Sequence, residues 1–278
     1  MTGLLTRSFI HVPGVGERRE RALWERGYTD WDAFLRDHPR NPWRDLIASR
    51  LDRERAARDL PRRELWRLAR SFPGRTAFLD IETTGLAPGR DGVTCVGLSD
   101  GEGVVALVAG RDLDRLPEEL ERFDLLVTYN GSCFDLPILA AAFPEIDFRR
   151  FHHLDLRYPL HRLGLKGGLK GVERSLGLAR AAEIEGVDGY LAVLLWEQHL
   201  RGHPRALETL VTYCLEDVVH LKPLLAHAYD RLAEQLPLDV EPIGAAPMPA
   251  IPYRADGDLV RELLRRVEAA REAGRSTW

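Results

Sequence analysis

Residues 78–86 read Phe-Leu-Asp-Ile-Glu-Thr-Thr-Gly-Leu, which is typical of a short apolar strand that carries two acids and ends in a turn. Because alternate side chains of a strand share a face, Asp80 and Glu82 point one way while Leu79 and Ile81 point the other. Two carboxylates on one apolar strand repel each other and resist desolvation unless cations neutralise them. Mg²⁺ or Mn²⁺ fits this pair, since both ions prefer oxygen ligands. The alternative is a pair of solvent-facing acids on an edge strand.

A second acid follows another predicted strand. The stretch Thr-Tyr-Asn-Gly-Ser-Cys-Phe-Asp ends a strand near Asn130 and begins a helix near Asp135. Sites of α/β proteins lie beyond the carboxyl ends of such strands, which places Asp135 near the first pair. Asn130 then orients a neighbouring carboxylate or contacts a substrate. The alternative is that Asp135 only caps the helix.

A third acid lies on a long predicted helix. Tyr213 and Asp217 are four residues apart and share a face with Leu210 and Leu221. An inward Asp on an apolar stripe needs a partner or a metal ion. Glu216 lies to one side of this stripe, and we expect it to be solvated.

The order of elements predicts an α/β fold. Three strands in a meander are followed by helix, strand, helix, a short strand and further helices, which gives a mixed five-stranded sheet covered by helices. We assign residues 73–236 to this domain. A small all-α domain precedes it at residues 1–72, with an Arg-rich helix from about Leu46 to Arg70.

The N-terminal segment favours nucleic acid. Residues 1–75 contain 17 Arg, no Lys and 11 acids, a net charge of +6, whereas the whole chain carries −4. The turn Val-Pro-Gly-Val-Gly resembles a helix-hairpin-helix element, in which Gly14 and Gly16 admit a phosphate to a helix start. Arg18 and Arg19 add charge-assisted contacts there. The alternatives are an ordinary tight turn and a salt-bridged helical surface.

The C-terminal segment, the apolar runs and the cysteines indicate which other kinds of protein this chain resembles least. Residues 237–278 form a Pro-rich linker and a last helix, which docks on the body or on a protein partner. The longest apolar run, residues 104–109, is too short to span a bilayer. Three widely spaced cysteines argue against a disulfide framework or a zinc site, and we expect a cytoplasmic protein.

Taken together, the three acidic motifs resemble those of the DEDD superfamily of exonucleases. The match is Asp-x-Glu at 80–82, Asn-Gly-x-x-Phe-Asp at 130–135 and Tyr-x-x-x-Asp at 213–217. The chain looks closest to the YprB-like, ribonuclease H-like family over about residues 5–235, and the hairpin at residues 9–16 resembles that family's leading segment. Thr212 stands where one branch has His, so the chain resembles the tyrosine branch. Cys214 departs from the Asn that many members carry.

The resemblance implies a 3′→5′ exonuclease with two divalent metal ions, Mg²⁺ or Mn²⁺. The metal ligands it implies are Asp80, Glu82, Asp135 and Asp217. Tyr213 would orient the attacking water, since a phenol is a poor base at neutral pH. The residues expected to contact the substrate are Thr83, Thr84, Leu86, Asn130, Phe134 and Lys170, where Lys170 belongs to a phosphate cradle or is simply a solvated lysine.

Two other functions fit the same motifs. One is a non-catalytic nucleic-acid-binding or scaffold protein on a nuclease fold, and the other is an endonuclease that cuts at a structured junction. The sequence does not distinguish DNA from RNA or single from double strands.

Overall fold

The computed structural model describes residues 3–47, 57–85 and 92–275. Its five-stranded sheet has the order β3-β2-β1-β4-β5. The strands are β1 Thr76–Thr83, β2 Val93–Ser99, β3 Val104–Val108, β4 Leu125–Thr128 and β5 His152–Asp155. β2 runs antiparallel to both β1 and β3, whereas β1, β4 and β5 are parallel. This mixed sheet, with a helical N-terminal part, confirms the predicted fold class.

Helices cover both faces of the sheet. The α-helices are α1 Glu17–Glu25, α2 Trp31–Asp37, α3 Arg44–Ile47, α4 Leu116–Leu120, α5 Asp135–Ala142, α6 Arg157–Arg162, α7 Leu169–Ser175, α8 Gly189–Leu200, α9 Ala206–Ala233 and α10 Gly257–Arg275. Short 3₁₀ helices lie at Leu4–Arg7, Arg62–Leu68, Leu113–Arg115, Phe148–Arg150 and Ala182–Ile184.

The alternation of β1 divides the core as the sequence predicted. Leu79 and Ile81 are buried in one apolar cluster with residues of α4 and α5. Phe78 belongs to a second cluster with Val218 and Leu221 of α9. The face that carries Asp80 and Glu82 is therefore the face that α9 covers.

The helical N-terminal segment shares its apolar core with the sheet. Phe9 and Phe34 lie in the same buried cluster as Leu125 of β4 and Leu160 of α6. This cluster crosses the predicted boundary at residue 72, and the boundary itself stays a prediction.

Buried ion pairs also join the N-terminal segment to the body. Arg67 binds Glu20 at 2.8 Å and Glu64 at 2.8 Å, and all three side chains are at most 2% exposed. Arg162 of α6 binds the other oxygen of Glu64 at 2.7 Å. Removing one partner of such a network would leave a buried charge uncompensated.

The predicted Arg-rich helix from about Leu46 to Arg70 does not continue as an α-helix beyond residue 59. Part of it, residues 48–56, lies outside the described residues. Residues 57–59 form one helical turn, and a 3₁₀ helix follows from Arg62. Pro61 separates the two, because proline lacks an N–H and disfavours helix in the residue before it.

The C-terminal segment docks on the body. Asp230 of α9 accepts the backbone N–H groups of Ile243 and Gly244 at 2.6 and 2.9 Å, so the Pro-rich stretch lies along α9. The first turns of α10 then bury Leu259 and Leu263 in a cluster with α8. These apolar residues are used within the chain, and the predicted protein partner gains no support from them. None of the helices in the described ranges has the length and hydropathy needed to cross a bilayer.

Candidate metal centre

The two acids of β1 lie under α9 beside a kink in the strand. Glu82 is buried, Asp80 is partly buried, and the pairing register of β1 with β2 shifts between Glu82 and Thr83. Such bulges redirect side chains at functional sites. β1 is the central strand, so the alternative of a solvent-facing pair on an edge strand is wrong.

Asp135 is the first residue of α5 and is only 3% exposed. Phe134 is the N-cap of this helix and makes no side-chain capping bond. The alternative in which Asp135 merely caps the helix is therefore wrong. Burial raises its pKa to about 7, although backbone hydrogen bonds from Asp135 and Ile81 oppose the shift.

A tight loop between β4 and α5 presents Asp135. Asn130 adopts φ 66°, a left-handed conformation that Asn tolerates. A Cβ on Gly131 would lie 2.2 Å from the Thr128 hydroxyl oxygen, so only glycine fits there. The Asp155 carboxylate accepts the backbone N–H groups of Asn130 and Ser132 at 2.7 and 3.1 Å. Asp155 thus holds the loop, a role that the sequence did not reveal.

His153 of β5 contacts β4 beside this loop. Its Nε2 lies 2.9 Å from the Thr128 hydroxyl. Asp155, two residues later on the same strand, is occupied by the backbone N–H groups of the loop.

α9 supplies Tyr213 and Asp217, which are 5% and 7% exposed. Gly97 of β2 makes this approach possible, because a Cβ there would lie 2.7 Å from Val218 and 3.0 Å from the Cys214 sulfur. The helix can pack this closely only against a residue without a side chain.

Cys214 is part of the buried contact between helix and sheet. Its thiol, with Asp80 and Glu82, offers atoms within 4.8 Å of one another. A hydrogen bond to Cys95 and burial raise the pKa of the Cys214 thiol well above its usual range. Because Mg²⁺ and Mn²⁺ prefer oxygen ligands, the carboxylates and not the Cys214 thiol suit such ions.

Two cations reach this cluster of acids. Lys170 Nζ donates to the Tyr213 hydroxyl at 3.0 Å and to the carbonyl of Val187. Arg180 Nη2 donates to Asp217. Lys170 was predicted as a substrate contact, whereas Arg180 was missed because it lies in a loop with no motif around it.

Arg180 is anchored from behind by Glu173. Arg180 Nε and Nη2 bind the two carboxylate oxygens of Glu173 at 2.7 and 2.6 Å. His220 Nδ1 lies 2.8 Å from one of the same oxygens. Burial would lower the pKa of Arg180, but Asp217 and Glu173 outweigh it and raise the value. The guanidinium is therefore charged at every physiological pH.

The prediction for Glu216 is wrong. Its side chain is only 12% exposed, and it accepts the backbone N–H of Ala181 at 3.3 Å. The loop that carries Arg180 folds over α9 and covers this position, which helix spacing alone does not reveal.

Burial and mutual repulsion set the electrostatics of the cluster. Burial raises the pKa of Asp80 well above its usual range, and the carboxylates of Asp217 and Asp135 raise it further. Burial and Asp217 do the same for Glu82. In Asp217 burial raises the pKa and Arg180 opposes it. Buried acids that repel one another favour protons or added cations, and oxygen donors of this kind suit Mg²⁺ or Mn²⁺.

These acids line one cleft of about 310 Å³ at the carboxyl ends of β1 and β4. Its lining residues include all four predicted metal ligands together with Thr83, Asn130, Phe134 and Tyr213. Thr84 follows β1 at the edge of the site but does not line the cleft, and Leu86 lies outside the described residues. The predicted hairpin residues Gly14, Gly16, Arg18 and Arg19 are exposed on the N-terminal segment and do not line the cleft.

Comparison with known families agrees with this architecture. A family model of the RNase_H superfamily, RNase_H_2, matches residues 77–229, which is more than half of the chain. The chain belongs to the RNase H superfamily. The match begins at β1 and ends near the last turn of α9, so it contains every residue of the cleft.

Part of this RNase H superfamily chain is similar to a solved structure of a DNA polymerase. It is that of the family B DNA polymerase from the hyperthermophilic archaeon Pyrobaculum calidifontis, with a TM-score of 0.40 and 21% sequence identity. The similarity covers 55% of this chain and 27% of the polymerase. No curated protein sequence matches the chain.

Proposed function

We propose that the protein is a metal-dependent 3′→5′ exonuclease that hydrolyses phosphodiester bonds at nucleic-acid 3′ ends. The observation that carries the proposal is the convergence of four carboxylates from β1, α5 and α9 in one cleft. Membership of the RNase H superfamily supports nuclease chemistry. The 3′→5′ direction rests on the resemblance of the three motifs to YprB-like exonucleases.

Asp80, Glu82, Asp135 and Asp217 would hold two divalent cations, Mg²⁺ or Mn²⁺. Bound as a pair, such ions activate a water molecule and stabilise the leaving 3′-oxygen of a phosphodiester. The carboxylates come from three elements that pack together, because α9 and α5 bury apolar residues against opposite faces of β1. Their spacing is therefore set by the packing of the protein itself.

We assign to Tyr213 the orientation of the attacking water. Burial and the neighbouring carboxylates of Asp217 and Glu82 raise the pKa of its phenol. The phenol is therefore protonated at neutral pH and acts as a hydrogen-bond donor and not as a base. Lys170 donates to the phenolic oxygen, which leaves the phenolic hydrogen free to point elsewhere in the cleft.

The rim of the cleft suits the terminal nucleotide. Phe134 is 45% exposed although it is a large apolar side chain, and such a ring can stack on a base. Asn130 and Thr83 offer polar atoms at the same rim, and we assign Thr84 and Leu86 to the same nucleotide by the resemblance.

The exposed hairpin of the N-terminal segment is proposed to bind the nucleic-acid backbone away from the cleft. Gly14 has φ +81°, and Gly16 is the N-cap of α1. Arg18 and Arg19 are exposed in the first turn of that helix. Arg19 also donates to the carbonyl of Gly14 at 2.8 Å, which holds the turn together.

The decisive test compares the wild type with Asp80→Asn. A 5′-labelled oligonucleotide, as DNA and as RNA, is incubated with Mn²⁺ or Mg²⁺. We expect a ladder of single-nucleotide products that requires metal and is lost in the variant, because the neutral amide removes one ligand charge. Asp147→Asn is the matched control, since Asp147 is exposed and lines no part of the cleft.

Two other outcomes would replace the proposal. Intact substrate under both metals, with binding retained, would identify a scaffold on a nuclease fold. One large internal product from a branched substrate would identify an endonuclease.

A further inference from the structure

Asp217 differs from the other three acids of the cleft because a permanent cation already contacts it. Arg180 binds its carboxylate and is itself clamped by Glu173, so the three side chains form a Glu–Arg–Asp triad. Their side chains are 2%, 12% and 10% exposed. The triad carries a net charge of −1, and little solvent screens it.

We propose that Arg180 is a built-in counter-ion for Asp217 that lowers the affinity of the cleft for divalent cations and keeps the metal-free site assembled. The inference rests on the proposed metal site. It assigns to Arg180 a positioning role that acts through Asp217.

Arg180 affects the metal site more through its charge than through the orientation of the Asp217 side chain. Asp217 lies near the middle of the 28-residue helix α9, among buried neighbours, so the helix restricts its side chain without help from Arg180. Arg180, by contrast, places a full positive charge on an oxygen of a ligand carboxylate. A divalent ion at Asp217 is repelled by that charge at short range in a poorly screened environment.

Glu173 raises the affinity of the cleft for divalent cations, whereas Arg180 lowers it. It lies behind Arg180 and neutralises part of the guanidinium charge that the cleft experiences. His220, which is fully buried, also contacts the Glu173 carboxylate through its Nδ1 atom. The pair Arg180 and Glu173 therefore forms a dipole whose positive end faces the metal ligands.

Because Arg180 faces the metal ligands and Glu173 lies behind it, removing one charge or the other should change the affinity for Mn²⁺ in opposite directions. Arg180→Met removes the positive end, and we expect Mn²⁺ to bind at least tenfold more tightly. Glu173→Gln removes the negative end, and we expect Mn²⁺ to bind at least threefold more weakly. A merely structural role of the triad would weaken binding in both variants.

The measurement is calorimetric titration of the full chain with Mn²⁺ alone, without nucleic acid, together with thermal unfolding of the metal-free protein. Arg180→Met should unfold at a lower temperature without metal, whereas Arg180→Lys, which keeps the charge, should bind Mn²⁺ within threefold of the wild type. Arg162→Met is the control, because it breaks a comparable ion pair with Glu64 away from the cleft and should leave the Mn²⁺ affinity unchanged.

Equal or weaker Mn²⁺ binding by Arg180→Met would overturn the inference, and so would tighter binding by Glu173→Gln. If Arg180→Met does not fold without metal, Arg180→Lys decides, because the charge model keeps its Mn²⁺ affinity within threefold of the wild type, whereas a structural role of the guanidinium would weaken it beyond that. If the proposed metal ligands are themselves incorrect, Asp80→Asn should bind Mn²⁺ as tightly as the wild type, which is a different result from those above. Absence of nuclease activity leaves the result of this titration unaffected.

Discussion

At the scale of single residues, the cleft is shaped by groups whose charge state is forced by burial. Tyr213 is the clearest case, because its phenol lies among carboxylates that would repel a phenolate. Its pKa is raised from an ordinary value of 10.0, so it remains protonated throughout the range in which the protein would act. A group that does not titrate contributes a constant factor to the rate.

Replacing Tyr213 by Phe tests this role. We expect the rate of phosphodiester hydrolysis to fall about 10- to 100-fold by the same factor at every pH between 6 and 9, since orientation of water is lost and no ionisation is removed. Affinity for Mn²⁺ should change less than threefold, because the phenol is not a ligand. Initial rates across this pH range and a Mn²⁺ titration measure both quantities.

A loss factor that grows with pH would show that Tyr213 acts as a base. Tyr229→Phe serves as the control, because Tyr229 is a buried phenol in a separate cluster with Trp66. That variant should retain the wild-type rate.

At the scale of elements, the site depends on how closely α9 lies on β1 and β2. Both Tyr213 and Asp217 belong to α9, whereas Asp80 and Glu82 belong to β1. Gly97 sets the distance between the two elements because its missing Cβ leaves room for Val218. A displacement of α9 would separate Asp217 and Tyr213 from the two acids of β1.

Gly97→Ala tests this dependence. The added Cβ meets Val218 at 2.7 Å inside a packed core, so we expect a loss of about 1–3 kcal/mol in the free energy of unfolding. Because α9 carries the proposed ligand Asp217, we also expect weaker Mn²⁺ binding. Gly103→Ala is the matched control, since a Cβ there meets nothing within 4 Å. Equal unfolding midpoints for the two variants would contradict the prediction.

At the scale of the whole molecule, the N-terminal segment is both a packing partner and the proposed anchor for nucleic acid. Deleting residues 1–72 would expose Leu125 and Leu160 and remove the partner of Arg162. Such a truncation would lower both the free energy of unfolding and the affinity for nucleic acid, so the two effects could not be told apart. Point variants on the exposed hairpin separate the two effects.

The double variant Arg18→Gln/Arg19→Gln should weaken oligonucleotide binding while the unfolding temperature changes little. Each phosphate contact contributes about 0.7–0.9 to the slope of log Kd against log salt concentration, so the slope should fall by about 1–2. Fluorescence anisotropy at several salt concentrations measures it. The control is Arg201→Gln/Arg261→Gln, which removes two exposed arginines elsewhere, and an equal slope in both variants would exclude the hairpin as a binding element.

Much of this protein was determined by short-range rules that act along the sequence. The alternation of β1 separates Asp80 and Glu82 from Leu79 and Ile81 whatever the strand packs against, because neighbouring side chains of a strand point to opposite faces. Helical spacing likewise places Tyr213 and Asp217 on one face. These patterns were sufficient to predict the sheet and most of the helices around it, whereas the grouping of four acids as one ligand set came from the resemblance of the three motifs.

Only the tertiary structure decided which groups surround those acids. Arg180 contacts Asp217 from a loop, Glu173 of α7 binds Arg180, and His220 of α9 contacts Glu173, and no local pattern brings these groups together. Asp155 holds the loop before Asp135 from a neighbouring strand, and Glu216 is covered by a segment 35 residues earlier in the chain. The physical reason is that burial and ion pairing depend on which surfaces meet in space, whereas periodicity records only which side of its own element a residue occupies.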